Sequence, residues 1–526
     1  MFVHKDHLTI VSRILLSTVC VLAIGLPGKS VRALATVFVS PSGSYTDCTQ
    51  TGPCTLATGL SLVNAGGTLY AAAGTYTTAS GDQVVLLDKT INFLGGWDGA
   101  DSGAPFRDPA TYKSTLDGEG DRRGITIVGD IKPLVDGWTI LSGLGNNMLE
   151  CLDVDGAASG CGGGIYINTA QPTISNNDIL RNAAAIMVPG GTGVGGGIYV
   201  INSGGTIIDA NQIHLNNSHI DGEGFGGGIA LVNSGGKISI RNNHIYDNET
   251  FRETYSDHNG HAIYVLSNTG GIEILNNQIN NNNPNNGDHS NFQNTILTQH
   301  CDYRCLFEGN QIYDNHGSGA MRLRQSSTTI LRNTIINPDE TVGIDVWATD
   351  MNPHDPGVYA LIANNIIAAN TVWNVIIDGT MQDEAHVQFI YNTLADSQCG
   401  LYIYSPNIVS TVSFDRGIVS GQSAYGIYKP FDVTMSITIS NTLFHGNALD
   451  GISGTNPLTG DPAFVDAISG NYHLSATSAA INTVTDGSLA QDIDGDIRPM
   501  GSGTTPYDVG ADEFWWKSFL PALQNP

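Results

Sequence analysis

The feature that most constrains this chain is a hexamer written three times: GGGIYI at 162–167, GGGIYV at 195–200 and GGGIAL at 226–231. A second element travels with it, as TISNNDI at 173–179, IIDANQI at 207–213, ISIRNNHI at 238–245, IEILNNQI at 272–279 and LFEGNQI at 306–312. Its marker asparagines, Asn177, Asn211, Asn243, Asn277 and Asn310, are spaced 34, 32, 34 and 33 residues apart, and the series continues less regularly through Asn333, Asn365, Asn392 and Asn441. No helical period competes with this between 160 and 450. Each unit holds short alternating strands of Ile and Val bounded by Gly and Asn, and such strands cannot bury their apolar face alone. They must stack, one coil per repeat, as an all-β solenoid in which equivalent residues recur about every 4.8 Å along the axis. Asparagine at the corner is expected to take the left-handed conformation and to hydrogen-bond its stacked neighbour, and the glycine triplets to permit a sharp corner before a strand.

Two further stretches carry a resemblance. TVFVSPSGSYTDCTQTGPCTLATGLSLVNAGGTLYAAAGTYT at 36–77 resembles the first coil of secreted right-handed parallel β-helix proteins of the pectate-lyase-like superfamily. The stretch 460–514, with DIDGDIRP and DVGADEF, is similar to the C-terminal region of β-helix proteins of the choice-of-anchor type. The resemblance implies a single-stranded right-handed parallel β-helix with a C-terminal cap, and export. It implies no reaction, because that superfamily holds lyases, hydrolases, epimerases and non-catalytic surface proteins alike. The expected organisation is a signal peptide at 1–35, the β-helix at 36–460, a cap or anchor-type region at 461–513 and an aromatic, apolar tail at 514–526.

The N-terminus agrees with export. Lys5 and Arg13 precede the apolar run ILLSTVCVLAIGL, and Ala33-Leu34-Ala35 offers a cleavage site, so a secreted or cell-surface protein is expected. The run is too short for a comfortable membrane span, and no later one is long enough. Six cysteines fall in tight pairs, Cys48 with Cys54, Cys151 with Cys161 and Cys301 with Cys305, which an oxidising compartment would close as disulfides, leaving Cys399 over. The formal net charge of −27 argues against nucleic acid and anionic membranes as partners, and against an acidic polysaccharide unless a cation or a basic patch intervenes. A monomer with an extracellular polysaccharide as partner is expected.

Repeat lengths locate the loops. From the marker Asn to the next strand the early coils take about twenty residues and the late ones about ten, so the excess should leave the coil near 182–195, 217–225, 248–259 and 281–293. A later insertion, WATDMNPHDPGVY at 347–359, follows its strand instead of preceding it, and the two sets could flank a groove. If Ile165, Ile167, Ile198, Val200, Ile263, Val265, Met321, Leu323, Ile344, Val346, Leu401 and Ile403 point inward, their neighbours point outward. That outward file, Tyr166, Tyr199, Tyr264, Trp347, Tyr402 and Tyr404, makes a candidate sugar platform; stacked tyrosines also stabilise their own sheet without any ligand. Interleaved with it are the candidate catalytic residues. Arg322 and Arg324 suit elimination beside a carboxylate, with His261, His300 or His316 as bases, whereas Asp345 suits a hydrolase. Asp350 and Asp355 could serve the hydrolase or hold calcium, the one cofactor the sequence suggests. Asp492, Asp494 and Asp496 are spaced as in a calcium loop but lack its closing glutamate, so a turn with an optional structural ion is the better reading. Two functions remain: a carbohydrate-active protein, lyase-like if catalytic, or a non-catalytic surface protein with a long adhesive face.

Overall fold

The computed structural model describes residues 34–515, apart from 79–80, 146–150, 154–155, 158, 187–190, 220–222, 251–259, 284–292, 302–303, 349–356, 380–383, 405–408, 431–434, 486 and 501–505. Each coil contributes one strand to each of three long parallel sheets in a fixed order. A front sheet of 13 strands runs from Gln83–Leu87 to Leu449–Gly451. A flank sheet of 14 runs from Leu34–Val39 to Ser436–Ser440, and a back sheet of 14 from Gly74–Tyr76 to Leu458–Thr459. A short helix, Leu56–Leu62, packs on the first two flank strands. The chain is a right-handed parallel β-helix, the hand that right-twisted strands favour in parallel crossovers.

Period-two alternation fills the lumen as the sequence requires. Ile165, Ile167, Ile198, Val200, Ile263, Val265, Met321, Leu323, Ile344, Val346, Leu401 and Ile403 are all fully buried in one continuous core. The flank-to-back corner is built by the marker asparagines. Each amide Nδ2 donates to the Oδ1 of the next, at 3.0 Å from Asn177 to Asn211, Asn211 to Asn243, Asn243 to Asn277 and Asn277 to Asn310, and the ladder continues through Asn333 and Asn365 to Asn392. One expectation is corrected here. The left-handed residue is the one before the ladder, such as Asn176, Ala210, Asn242 and Asn276, because the turn must be complete before the ladder amide can reach into the coil. Asn441 occupies that left-handed position, outside the buried ladder, where its Nδ2 donates to Asp415 Oδ1 at 3.0 Å.

A second ladder, five residues further on, escaped the sequence reading. Asn182, Asn216, Asn248, Asn282 and Asn315 bond in file, and Asn315 reaches Asn337. It marks the corner where the glycine triplets lie. Gly162, Gly195 and Gly226 have φ of +58°, +67° and +62°, and the next residues have no room for a side chain: a Cβ on Gly163 would stand 2.2 Å from the Ala183 carbonyl oxygen and one on Gly164 2.5 Å from that of Gly197. The hexamer is thus a left-handed turn, a close backbone crossing and a strand start, in that order.

The C-terminal cap lies along the side of the solenoid. Leu474, Ala480, Val484 and Val509 pack on Ile418 and Leu443, and Tyr472 and Ala511 on Ile366, Ala368 and Ala395, all on the outer face of the back sheet. The DIDGDIRP and DVGADEF motifs close on each other at the flank-to-back corner. Arg498 binds Glu513 at 3.0 Å and the Gly510 carbonyl at 2.7 Å, lies 4.5 Å from the Tyr391 ring centroid and reaches the ladder-side residue Asn364. Asp492 is fully buried and accepts from the backbone of Asp494, Asp496 and Glu513, so this acidic run is a structural turn. The apolar tail beyond Trp515 lies outside the described residues.

Candidate functional site

Six successive strands of the front sheet carry the candidate site: Asn294–Gln299, Gly319–Arg324, Val342–Ala348, Trp373–Gly379, Cys399–Tyr404 and Tyr425–Tyr428. Their register lines up two outward files. Leu297, Arg322, Asp345, Ile376, Tyr402 and Tyr428 stand side by side in one, and Gln299, Arg324, Trp347, Asp378 and Tyr404 in the other.

The expected residues meet in the middle of this strip. Asp345 Oδ2 accepts from Arg322 at 2.7 Å through both Nε and the terminal nitrogen, and the pair is nearly enclosed, with 6 % of each residue exposed. Both guanidinium groups lie against Trp347, Arg322 at 4.6 Å and Arg324 at 4.9 Å from its ring centroid, so the indole is held by two cation–π contacts. Asp378, which the sequence reading missed, stands next to Trp347 in the same file. Burial pushes its carboxyl up to about 6, with the charge of Asp345 adding to the rise and Arg322 opposing it. Its signal was present: Ile376 and Asp378 alternate with inward Val375 and Ile377, the rule already applied to the flanking strands. Beyond it Tyr402 sits 5.6 Å from Trp373, 6.3 Å from Tyr404 and 5.8 Å from Tyr428, and Tyr404 is 40 % exposed.

The earlier coils give the opposite result. Tyr166, Tyr199 and Tyr264 point out of the lumen but are fully buried, and they form no sugar platform. The described strands of the first two insertions, Thr192–Val194 and Glu223–Phe225, do not stand up as a wall; they lie down over the front sheet. Gly160–Cys161, Thr192–Val194 and Glu223–Phe225 make a small parallel sheet of their own, from which Val194 and Phe225 pack on the tyrosines in a second core with the Cys151–Cys161 disulfide. Tyr166 stacks on Tyr199 at 5.7 Å, Arg123 covers the Tyr166 ring at 4.4 Å, and Phe225 lies 5.1 Å from Tyr264.

Of the three candidate histidines, His261 and His316 stand away from the arginines, and His300 borders Arg324. His261 is fully buried, its Nδ1 2.7 Å from Thr250 Oγ1, and desolvation lowers its imidazole to about 3. His300 occupies a left-handed corner after the strand Asn294–Gln299, where its backbone N–H donates to the Arg324 carbonyl. His316 lies at the opposite edge, bonded to Asn281 at 3.0 Å and 3.6 Å from Asp339. Asp350 and Asp355 lie outside the described residues, as does most of the insertion 347–359. Among the described residues, the groups spaced to share a cation are His473, Asp494 and Asp512, and Asp492, Asp494 and Asp496, all in the C-terminal segment. All three expected disulfides are present, and Cys399 is a buried free thiol raised to about 12 by desolvation. No helix among the described residues is long and apolar enough to cross a membrane.

Comparison with known proteins agrees with the fold. The family model described as "Right handed beta helix region" matches residues 141–297. No curated protein matches the sequence. Among solved structures, the chain is similar to the pectate lyase Pel9A at 14 % identity and a TM-score of 0.38, covering 92 % of this chain and 97 % of that one. It is similar to PfbA, a surface adhesin of Streptococcus pneumoniae, at 12 % identity and 0.38, covering 81 % and 93 %. It is likewise similar to XylC, solved in complex with xylose, at 10 % identity and 0.40, covering 90 % and 98 %. At such distances no activity passes from these proteins to this chain.

Proposed function

We propose that this is an extracellular protein that binds a polysaccharide along the open half of the front sheet, from Arg324 to Tyr428. The observation that carries the reading is the paired outward files, in which Trp347, Tyr402 and Tyr404 alternate with charged groups over neighbouring strands. Aromatic faces accept the apolar side of a pyranose, while Asp378 and Arg324 offer hydrogen bonds at its rim. Strands about 4.8 Å apart supply one such contact set per strand along the axis, which suits a polymer better than a compact metabolite. The three disulfides support export.

A second reading, cleavage of the bound chain, is favoured by Asp378. A carboxyl raised to about 6 beside an ion-paired aspartate is the kind of group that donates a proton to a leaving oxygen. Elimination is less well served, because Arg322 is committed to Asp345 and His261 is buried. The test is incubation of the purified protein with acidic and neutral polysaccharides, with and without calcium, following binding, reducing ends and the absorbance of unsaturated uronides. Binding that Trp347→Ala weakens supports the platform, and reducing ends that Asp378→Asn abolishes without loss of binding support hydrolysis. No binding to any member of the panel by the folded protein, or binding indifferent to Trp347→Ala, would sink the proposal.

A further inference from the structure

A groove of about 650 Å³ lies on a different face, the outer side of the flank sheet, and shares no residue with the front strip. Its floor is the strands Val358–Ala363, Ala385–Ile390, Thr411–Asp415 and Ser436–Ser440, whose outward residues are Tyr359 with Leu361, then His386 with Gln388, then Thr411 with Ser413, then Ser436 with Thr438. Tyr359 is 50 % exposed, which for an aromatic ring on a sheet face is an open apolar surface.

That ring is braced. It stacks on His386 at 4.8 Å with 20° between the planes. The imidazole is itself fixed at both nitrogens, Nδ1 2.8 Å from Thr411 Oγ1 and Nε2 3.0 Å from Glu384 Oε2. One face of Tyr359 is therefore occupied, and the other borders the groove, level with Ser327 of the preceding coil. An aromatic ring whose orientation is locked before a ligand arrives loses little freedom when one stacks on it. Around it the lining is amide and hydroxyl together with the apolar Leu361 side chain, and Arg304 at one end is the one residue of fixed charge in the described lining. Uncharged donors and acceptors beside an exposed ring match an uncharged, hydroxyl-rich ring, and the net charge of −27 disfavours a polyanion at a face with a single arginine.

We infer that the flank groove is a second, independent glycan site that takes a neutral oligosaccharide, one pyranose stacked on Tyr359 and its neighbours hydrogen-bonded by Gln388, Thr411 and Ser413. The test uses the full chain with the front strip disabled by Trp347→Ala and Tyr404→Ala, titrated calorimetrically with cellohexaose, xylohexaose, mannohexaose and an oligogalacturonate. At least one neutral hexaose is expected to bind this background. Adding Tyr359→Ala is expected to weaken that binding tenfold or more, and Tyr359→Phe to retain it. No binding of a neutral hexaose to the background, or binding unchanged by Tyr359→Ala, overturns the groove. If the unaltered protein binds and the background does not, the front strip stands and the flank groove falls. Tighter binding of the oligogalacturonate than of every neutral hexaose overturns the neutral assignment.

Discussion

The two halves of the front sheet present the same positions and treat them oppositely. At Tyr166, Tyr199 and Tyr264 the outward ring is roofed by inserted strands and becomes core; at Trp347, Tyr402 and Tyr404 it keeps an open side. The strand pattern is the same in both halves. What differs among the described residues is the layer of short strands laid over the early coils, so an outward aromatic on a solenoid can bind only where it keeps an open side.

The largest effect that could break this comparison is at Tyr199. Tyr199→Ala should lower the local stability of the roofed coils by about 3–5 kcal/mol, read by hydrogen exchange of 165–232, while Tyr404→Ala should change stability by less than about 1 kcal/mol. Equal, small effects would mean that the roof is not a packed layer. Next, Arg322→Ala strands Asp345 without its cation and should cost about 3 kcal/mol, and adding Asp345→Ala should recover part of it. No recovery would show that the pair acts through packing on Trp347 instead. Removing the Cys151–Cys161 bridge with paired serines, a separation of 10 residues, should cost about 2 kcal/mol and speed exchange only in the roofed half. Spread of that effect to 319–428 would show the halves to be one cooperative unit. Trp347→Ala should weaken polysaccharide binding about tenfold, or about 1.4 kcal/mol, whereas Tyr166→Phe should leave it unchanged. The smallest effect is a pH dependence. Because the folded pKa of Asp378 is raised, its contribution to stability is present at low pH and is lost as pH rises from about 4 to about 6, remaining lost above. Asp378→Asn should flatten that slope and raise stability at pH 8, as thermal unfolding across pH would show.

The coil, its period, the inward residues and the three disulfides were legible because each follows from local spacing. Asp378 was legible in principle, since it obeys the same alternation as Trp347 one strand earlier, but a lone carboxylate carries no signal that sets it apart from a solvated surface aspartate. The second asparagine ladder was hidden by its setting: Asn216 and Asn248 sit among other polar residues at the mouth of the insertions, where asparagine is ordinary loop composition. His261 and the three tyrosines were misjudged because exposure is not a property of a strand position alone.

By itself the sequence determined the solenoid, because a period near 33 residues with alternating Ile and Val leaves no other way to bury the apolar face. It also determined the corners, where only glycine fits a close backbone crossing and the asparagine carboxamide donates to one neighbour while accepting from the other. The tertiary structure alone decided which outward residues meet solvent, which charges pair and where the C-terminal segment lies. Those outcomes depend on contacts between coils and on layers laid over them, whose partners are set by register and loop path rather than by neighbours in the chain.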